Sequence, residues 1–227
     1  MCGISCTRPR RRNLCPCWQR RSATVVTSAF LLSLSSLASA GTLALTSVEG
    51  SHYTSGGDQL YGWIFSINTP ITVTSLGVYD ENSDGLSISH DVGIYRQSDQ
   101  VLLGSATVPS GTVGTLIDTF RLESVSPFSL APDTYVIVMT MPAGTSDLQV
   151  ANATSFTFAS EITYITSAFG DGSALGFPNP DGNGAYAPGM FGPNFTFSDS
   201  VPEPSTYSAL GLGLTALLLL ARRRAKR

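Results

Sequence analysis

Between residues 41 and 200 apolar side chains recur at alternate positions, and no stretch shows a convincing helical period of 3.6. A chain patterned this way can bury its apolar surface only as packed sheets. Tyr61, Trp63, Phe65 and Ile67 fall on one face of a strand. Thr134–Met141 sets Tyr135, Ile137, Met139 and Met141 against Val136 and Val138, which predicts an inner strand covered on both sides. Ile71–Tyr79, introduced by Pro70, is rich in β-branched residues. Asp91–Arg96 and Val101–Val108 read as a hairpin across Gln97–Gln100. Leu116–Leu122 reads as one strand, and Phe156/Phe158, Ile162–Ala168 and Phe195/Phe197 mark others. The expectation is an all-β domain over 41–200, an antiparallel β-sandwich of jelly-roll type. Residues 170–193, rich in Gly, Pro and Asn, read as a functional loop or as an approach to the C-terminal tail.

Charge is distributed as unevenly as hydrophobicity. Eleven of the thirteen basic residues lie before residue 22 or after residue 221. Residues 41–200 hold two basic side chains, Arg96 and Arg121, against fifteen Asp and Glu, a net charge of −13. So acidic a segment repels nucleic acid and anionic headgroups and attracts cations; the same charge also serves plain solubility.

The ends read as addresses. A basic stretch through Arg21, an apolar run Ala23–Leu37 and Ala38-Ser39-Ala40 before Gly41 make residues 1–40 a signal peptide, with cleavage after Ala40 directed by Ala38 and Ala40. All four cysteines lie within the first seventeen residues, so cleavage would leave a chain without thiols. At the other end, Val201-Pro202-Glu203-Pro204-Ser205 precedes an uncharged run, 207–221, and the basic cluster Arg222–Arg227. Fifteen helical residues span about 22 Å, short of the ~30 Å hydrocarbon core, and Tyr207 and the arginines extend that reach. A short transmembrane helix with its basic end on the cytoplasmic side is expected, leaving the acidic domain outside.

Motif, short span and basic cluster, in this order over 201–227, resemble the PEP-CTERM sorting signal. In that family a membrane-embedded exosortase recognises Pro-Glu-Pro, here Pro202, Glu203 and Pro204, cuts the tail and passes the protein to the cell exterior. Two prolines hold such a segment extended, which suits a protease. The stretches Gly77–Asp80, Asp84–Leu86, Ser89–Tyr95 and Leu102–Pro109 also resemble an uncharacterised exported β-sandwich domain found in PEP-CTERM proteins. The resemblance implies an exosortase partner, contact with the membrane before processing and a place among extracellular polysaccharides, in biofilm or floc.

Asp80-Glu81-Asn82-Ser83-Asp84-Gly85 spaces oxygen ligands at alternate positions with a glycine for the turn, as a calcium loop requires. With Asp91 twelfth in that frame, Asp80, Asn82, Asp84 and Asp91 are the candidate ligands for calcium, the one cofactor the sequence suggests. The competing reading is a turn that uses Asp, Asn and Gly for local backbone bonding. His52 and His90 stand apart in sequence, and neither G-x-S-x-G nor H-E-x-x-H occurs, so no catalytic residue is assigned and a non-enzymatic protein is expected. The alternative to a surface or matrix protein is a lectin-like, carbohydrate-binding module whose sugar would stack on Tyr53, Tyr61 and Trp63.

Overall fold

The computed structural model describes residues 41–54, 56–180 and 188–199, together with Gly211, Thr215 and Arg222. The described strands are β1 (Thr42–Leu43), β2 (Leu45–Tyr53), β3 (Gln59–Ile67), β4 (Ile71–Tyr79), β5 (His90–Arg96), β6 (Leu102–Val108), β7 (Thr115–Ile117), β8 (Phe120–Leu130), β9 (Asp133–Met141), β10 (Gln149–Phe158), β11 (Ile162–Asp171), β12 (Asn179–Pro180) and β13 (Pro193–Asp199). Between residues 41 and 199 the one helical element described is a 3₁₀ turn, Glu81–Ser83. Strand pairing is antiparallel throughout. One sheet has the order β1-β13-β4-β8-β7 and the other β12-β11-β3-β9-β5-β6, with β10 and β2 as a separate pair.

The alternation explains how the sheets pack. Tyr61, Trp63 and Phe65 of β3 and Ile137 of β9 share one buried cluster with Val73 of β4 and Phe195 of β13, so the two sheets close on a common core. Trp63 ties them together as well: its ring stacks on Phe195 at 6.0 Å, and its Nε1 donates to the Pro193 carbonyl at 2.8 Å. The opposite faces of β3 and β9 are also covered. Leu175 and Phe177 lie over Leu60, Tyr95 and Val138, and Phe177 over Ile64, Val136 and Ala168. Thus the start of the Gly/Pro/Asn-rich segment is a lid on the outer sheet face; its residues 181–187 lie outside the described residues.

Leu116–Leu122 is not one strand. Asp118, in the left-handed region at φ 52°, reverses the chain with Thr119 so that β7 pairs back on β8, Thr115 opposite Leu122. Without a glycine at the bend, the sequence ran on as continuous alternation.

The first and last strands meet. Thr42 pairs with Phe197, and the buried Asn194 amide stitches β13 to the start of β2, donating to the Leu45 carbonyl (2.9 Å) and accepting from its N–H (3.0 Å). At the far end of the sheets the loops after β4, β6 and β9 converge. Leu86 and Gly111 exchange backbone hydrogen bonds there, and the Asp80 N–H donates to the Thr119 carbonyl.

Candidate functional site

This loop end carries the densest polar chemistry described. Asp80 follows β4 and is 2 % exposed; Arg121, on β8, is 4 % exposed. The Arg121 Nε and Nη2 both donate to Asp80 Oδ2, at 3.0 and 2.6 Å. Nη1 reaches the carbonyls of Thr112 and Gly114, and Nη2 that of Ser83. The other Asp80 oxygen accepts from the Gly85 N–H at 3.1 Å. Asn82, Ser83 and Gly85 have positive φ, so the acidic loop is a tight left-handed turn pinned to one guanidinium.

A second buried carboxylate organises the neighbouring loop. Asp147 accepts from the N–H and hydroxyl of Ser87 (2.6 and 2.8 Å), the Thr145 hydroxyl (2.9 Å) and the ring of His90 (Nε2, 2.8 Å). The fully buried His90 also contacts the Thr140 carbonyl through Nδ1 at 2.7 Å, so each ring nitrogen is engaged by an oxygen. Burial alone would raise the Asp147 carboxyl. The hydrogen bonds from His90, Ser87 and Thr145 together outweigh it and hold the group well below the usual carboxylate range. Ser87, His90 and Asp147 are thus neighbours without forming a nucleophilic triad, because the serine bonds the carboxylate and the imidazole has no free nitrogen.

Between these two carboxylates lies an open depression of about 530 Å³, bordered by Tyr79, Asp80, Asn82, Asp84, Ser146 and Asp147 among others. Beside it, His52 Nδ1 pairs with the Glu81 carboxylate and Nε2 lies 3.3 Å from the Tyr79 hydroxyl. Burial and then the Glu81 charge push that hydroxyl up. Of the four expected calcium ligands, Asp80, Asn82 and Asp84 border the depression and Asp91 does not. Asp91 lies on β5, where its Oδ1 accepts from the Thr107 hydroxyl at 2.6 Å, and Asp80 is engaged by Arg121. Among the described residues no three or more His, Cys, Asp and Glu side chains are grouped to hold a metal ion. This arrangement is that of a turn braced by an ion pair.

Sequence reasoning missed Arg121 and Asp147, the two side chains that organise this end. Each acts through partners 38 or more residues away in Ser83 and Asp80, or 57 and 60 in His90 and Ser87, which spacing does not reveal. Of the three aromatics of the alternative sugar-binding reading, Trp63 and Tyr61 are fully buried, while Tyr53 is 42 % exposed.

β13 ends at Asp199, opposite Ile71 at the start of β4, and the chain passes directly into residues 200–224, which match the family model described as the PEP-CTERM protein-sorting motif. This chain carries a PEP-CTERM sorting signal. The match contains Pro202, Glu203 and Pro204, and the PEP-CTERM signal implies exosortase-type sorting of an exported protein and membrane anchoring through the C-terminal region. No curated protein and no solved structure matches the chain. Among the described residues no helix is long and apolar enough to cross a membrane. The expected span, 207–221, lies outside the described residues except Gly211 and Thr215, which are helical, and the PEP motif and signal peptide 1–40 lie outside them too.

The strand geometry also relates the depression to the residue where the sorting signal begins. Nine residues of β4 separate Ile71, beside Asp199, from Tyr79 at the depression, a rise of about 27 Å. The depression therefore lies at the end of β4 opposite Asp199, the residue after which the sorting signal begins.

Proposed function

We propose that this is a non-enzymatic surface or matrix protein, exported behind a signal peptide cleaved after Ala40 and delivered by exosortase-type processing to work among extracellular polysaccharides. The observation that carries it is that the sorting motif begins at the residue after β13, so that the last strand of the domain is complete before the signal starts. A jelly-roll topology fits this reading. It is supported by the orders β1-β13-β4-β8 and β3-β9-β5-β6, in which the chain passes back and forth between the two sheets.

A non-catalytic role is supported by where the reactive side chains spend their bonds. His90, Asp147, Asp80 and Arg121 are satisfied by one another and by backbone, which stabilises loops rather than presenting a nucleophile or base to a substrate. A lectin-like module would need an exposed aromatic platform, and burial of Trp63 and Tyr61 argues for association without a dedicated sugar-stacking site.

The test is fractionation of a host that has both exosortase and polysaccharide synthesis. The processed protein is expected to sediment with the extracellular polysaccharide and to be released when that polymer is enzymatically degraded. Protein that stays in the medium regardless of polymer, or that turns over a glycan, contradicts the proposal.

A further inference from the structure

The residues that follow the expected cut at Ala40 are already inside the fold. Thr42 and Leu43 pair with Phe197 and Thr196 of β13, so a single residue, Gly41, separates the Ala40–Gly41 bond from β1. The Ala44 N–H donates to the Phe195 carbonyl at 2.9 Å, and the Ala44 carbonyl accepts from the Ala159 N–H at 2.9 Å. Leu45 bonds the Asn194 amide through both its N–H and its carbonyl. Leu43, Ala44 and Leu45 are all buried. Gly41 itself lies against the same strand: a Cβ there would stand 2.9 Å from Thr196 Cβ and 3.1 Å from the Thr74 and Thr196 hydroxyls. The cleavage point thus abuts the sheet.

A protease takes its substrate as an extended segment running to both sides of the bond it cuts. A segment held in a sheet reaches it only through local opening. Opening here means breaking the β1–β13 pairing and the Asn194 bonds, and returning Leu43, Ala44 and Leu45 to water. Those contacts come from far along the chain. Gly41 seats on Thr74 and Thr196, and Leu45 on a residue 149 positions away, so they form only after β13 has joined the sheet. Before that the segment is free; afterwards folding withdraws it.

We propose that signal-peptide removal must precede docking of β1 on β13, so that the order of the two events decides whether the domain is released from its N-terminal anchor. This rests on the reading of residues 1–40 as a signal peptide cut after Ala40. The step is a hydrolysis: the Ala40–Gly41 amide C–N bond breaks, water supplies the hydroxyl of the new Ala40 carboxyl group, and its other proton goes to the Gly41 amine. A chain that docks β1 first keeps its apolar run Ala23–Leu37 as an anchor. Gly41 suits both stages. It follows the small-residue cleavage motif and, having no side chain, lets the new amino terminus seat beside Thr74 and Thr196.

The experiment adds a bacterial-type signal peptidase to the uncleaved full chain, folded in non-ionic detergent micelles, and follows the intact mass of the product. Two variants leave the sequence from Ala23 to Gly41 untouched. A Gly/Ser spacer of about ten residues inserted after Gly41 moves the cut off the sheet. Trp63→Asp puts a charge into the shared core and removes the folded state, checked by loss of the melting transition. The folded parent should be cut after Ala40 at least about a hundredfold more slowly than either variant. A parent cut as fast as the spacer variant overturns the proposal, whether all three chains are cut quickly or Trp63→Asp alone is. Failure to cut even Trp63→Asp after Ala40 would remove the signal-peptide reading itself, and the proposal with it.

Discussion

Asp147 is the residue on which the loop end turns. Its folded carboxyl is held below the ordinary range, while the unfolded chain titrates near 3.9, so between those values the unfolded state binds more protons. Its contribution is therefore whole above about pH 4 and is lost as pH falls through the folded value. Melting temperature should decline on acidification below about pH 4. Asp147→Asn should lower the plateau by about 2–4 kcal/mol, because the buried partners Ser87, Thr145 and His90 lose their charged acceptor, and should flatten the acid limb. Asp80 makes the same kind of argument about ions. Removing it leaves Arg121 buried without its counter-charge, so Asp80→Ala should cost about 3–5 kcal/mol, while Asp84→Asn, at an exposed position, should stay within about 0.5. Calcium and magnesium at matched ionic strength should shift melting equally if the loop is a turn; a calcium-specific shift abolished by Asp84→Asn would support the metal reading instead. The acidic loop was visible in the sequence because its spacing is local. Its use was not, because the partner that neutralises Asp80 stands 41 residues away.

At the scale of elements, alternation located most of the strands because each face of a sheet samples one environment. β4 and the hairpin of β5 and β6 fall where Pro70 and the polar Gln97–Gln100 bend place them, and β9 is apolar on both sides because the segment carrying Leu175 and Phe177 covers its second face. Thr42–Tyr53 escaped notice: β2 is largely exposed and carries little alternation beyond Leu45. The C-terminal half of β8 escaped for a similar reason, with polar and half-buried residues from Glu123 to Ser129. Gly62 marks a place where alternation says nothing about backbone approach. A Cβ there would sit 2.0 Å from the Ile137 carbonyl oxygen of β9, on backbone that cannot swing aside. Gly62→Ala should destabilise the domain by about 1–3 kcal/mol or more, read from denaturant unfolding, with the loss centred on the β3–β9 ladder in amide exchange.

For the whole molecule, the decisive contacts join residues far apart in sequence. Asn194 bonds Leu45 across 149 positions, and Thr42 pairs with Phe197, so the sheet containing β1 and β13 is complete only once Asp199 is available. The chain enters the sorting motif at the next residue. Folding of the domain and recognition of its tail are thus adjacent events, and the central claim concerns what happens at that junction. The direct measurement is the intact mass of the protein recovered outside cells of an exosortase-bearing host, compared with a strain lacking the exosortase and with the Glu203→Ala variant. Exosortase sorting predicts a mature form that has lost the apolar run 207–221 and the basic end, with both comparison strains retaining full-length tails in the membrane fraction. External protein of identical mass in all three would contradict the account.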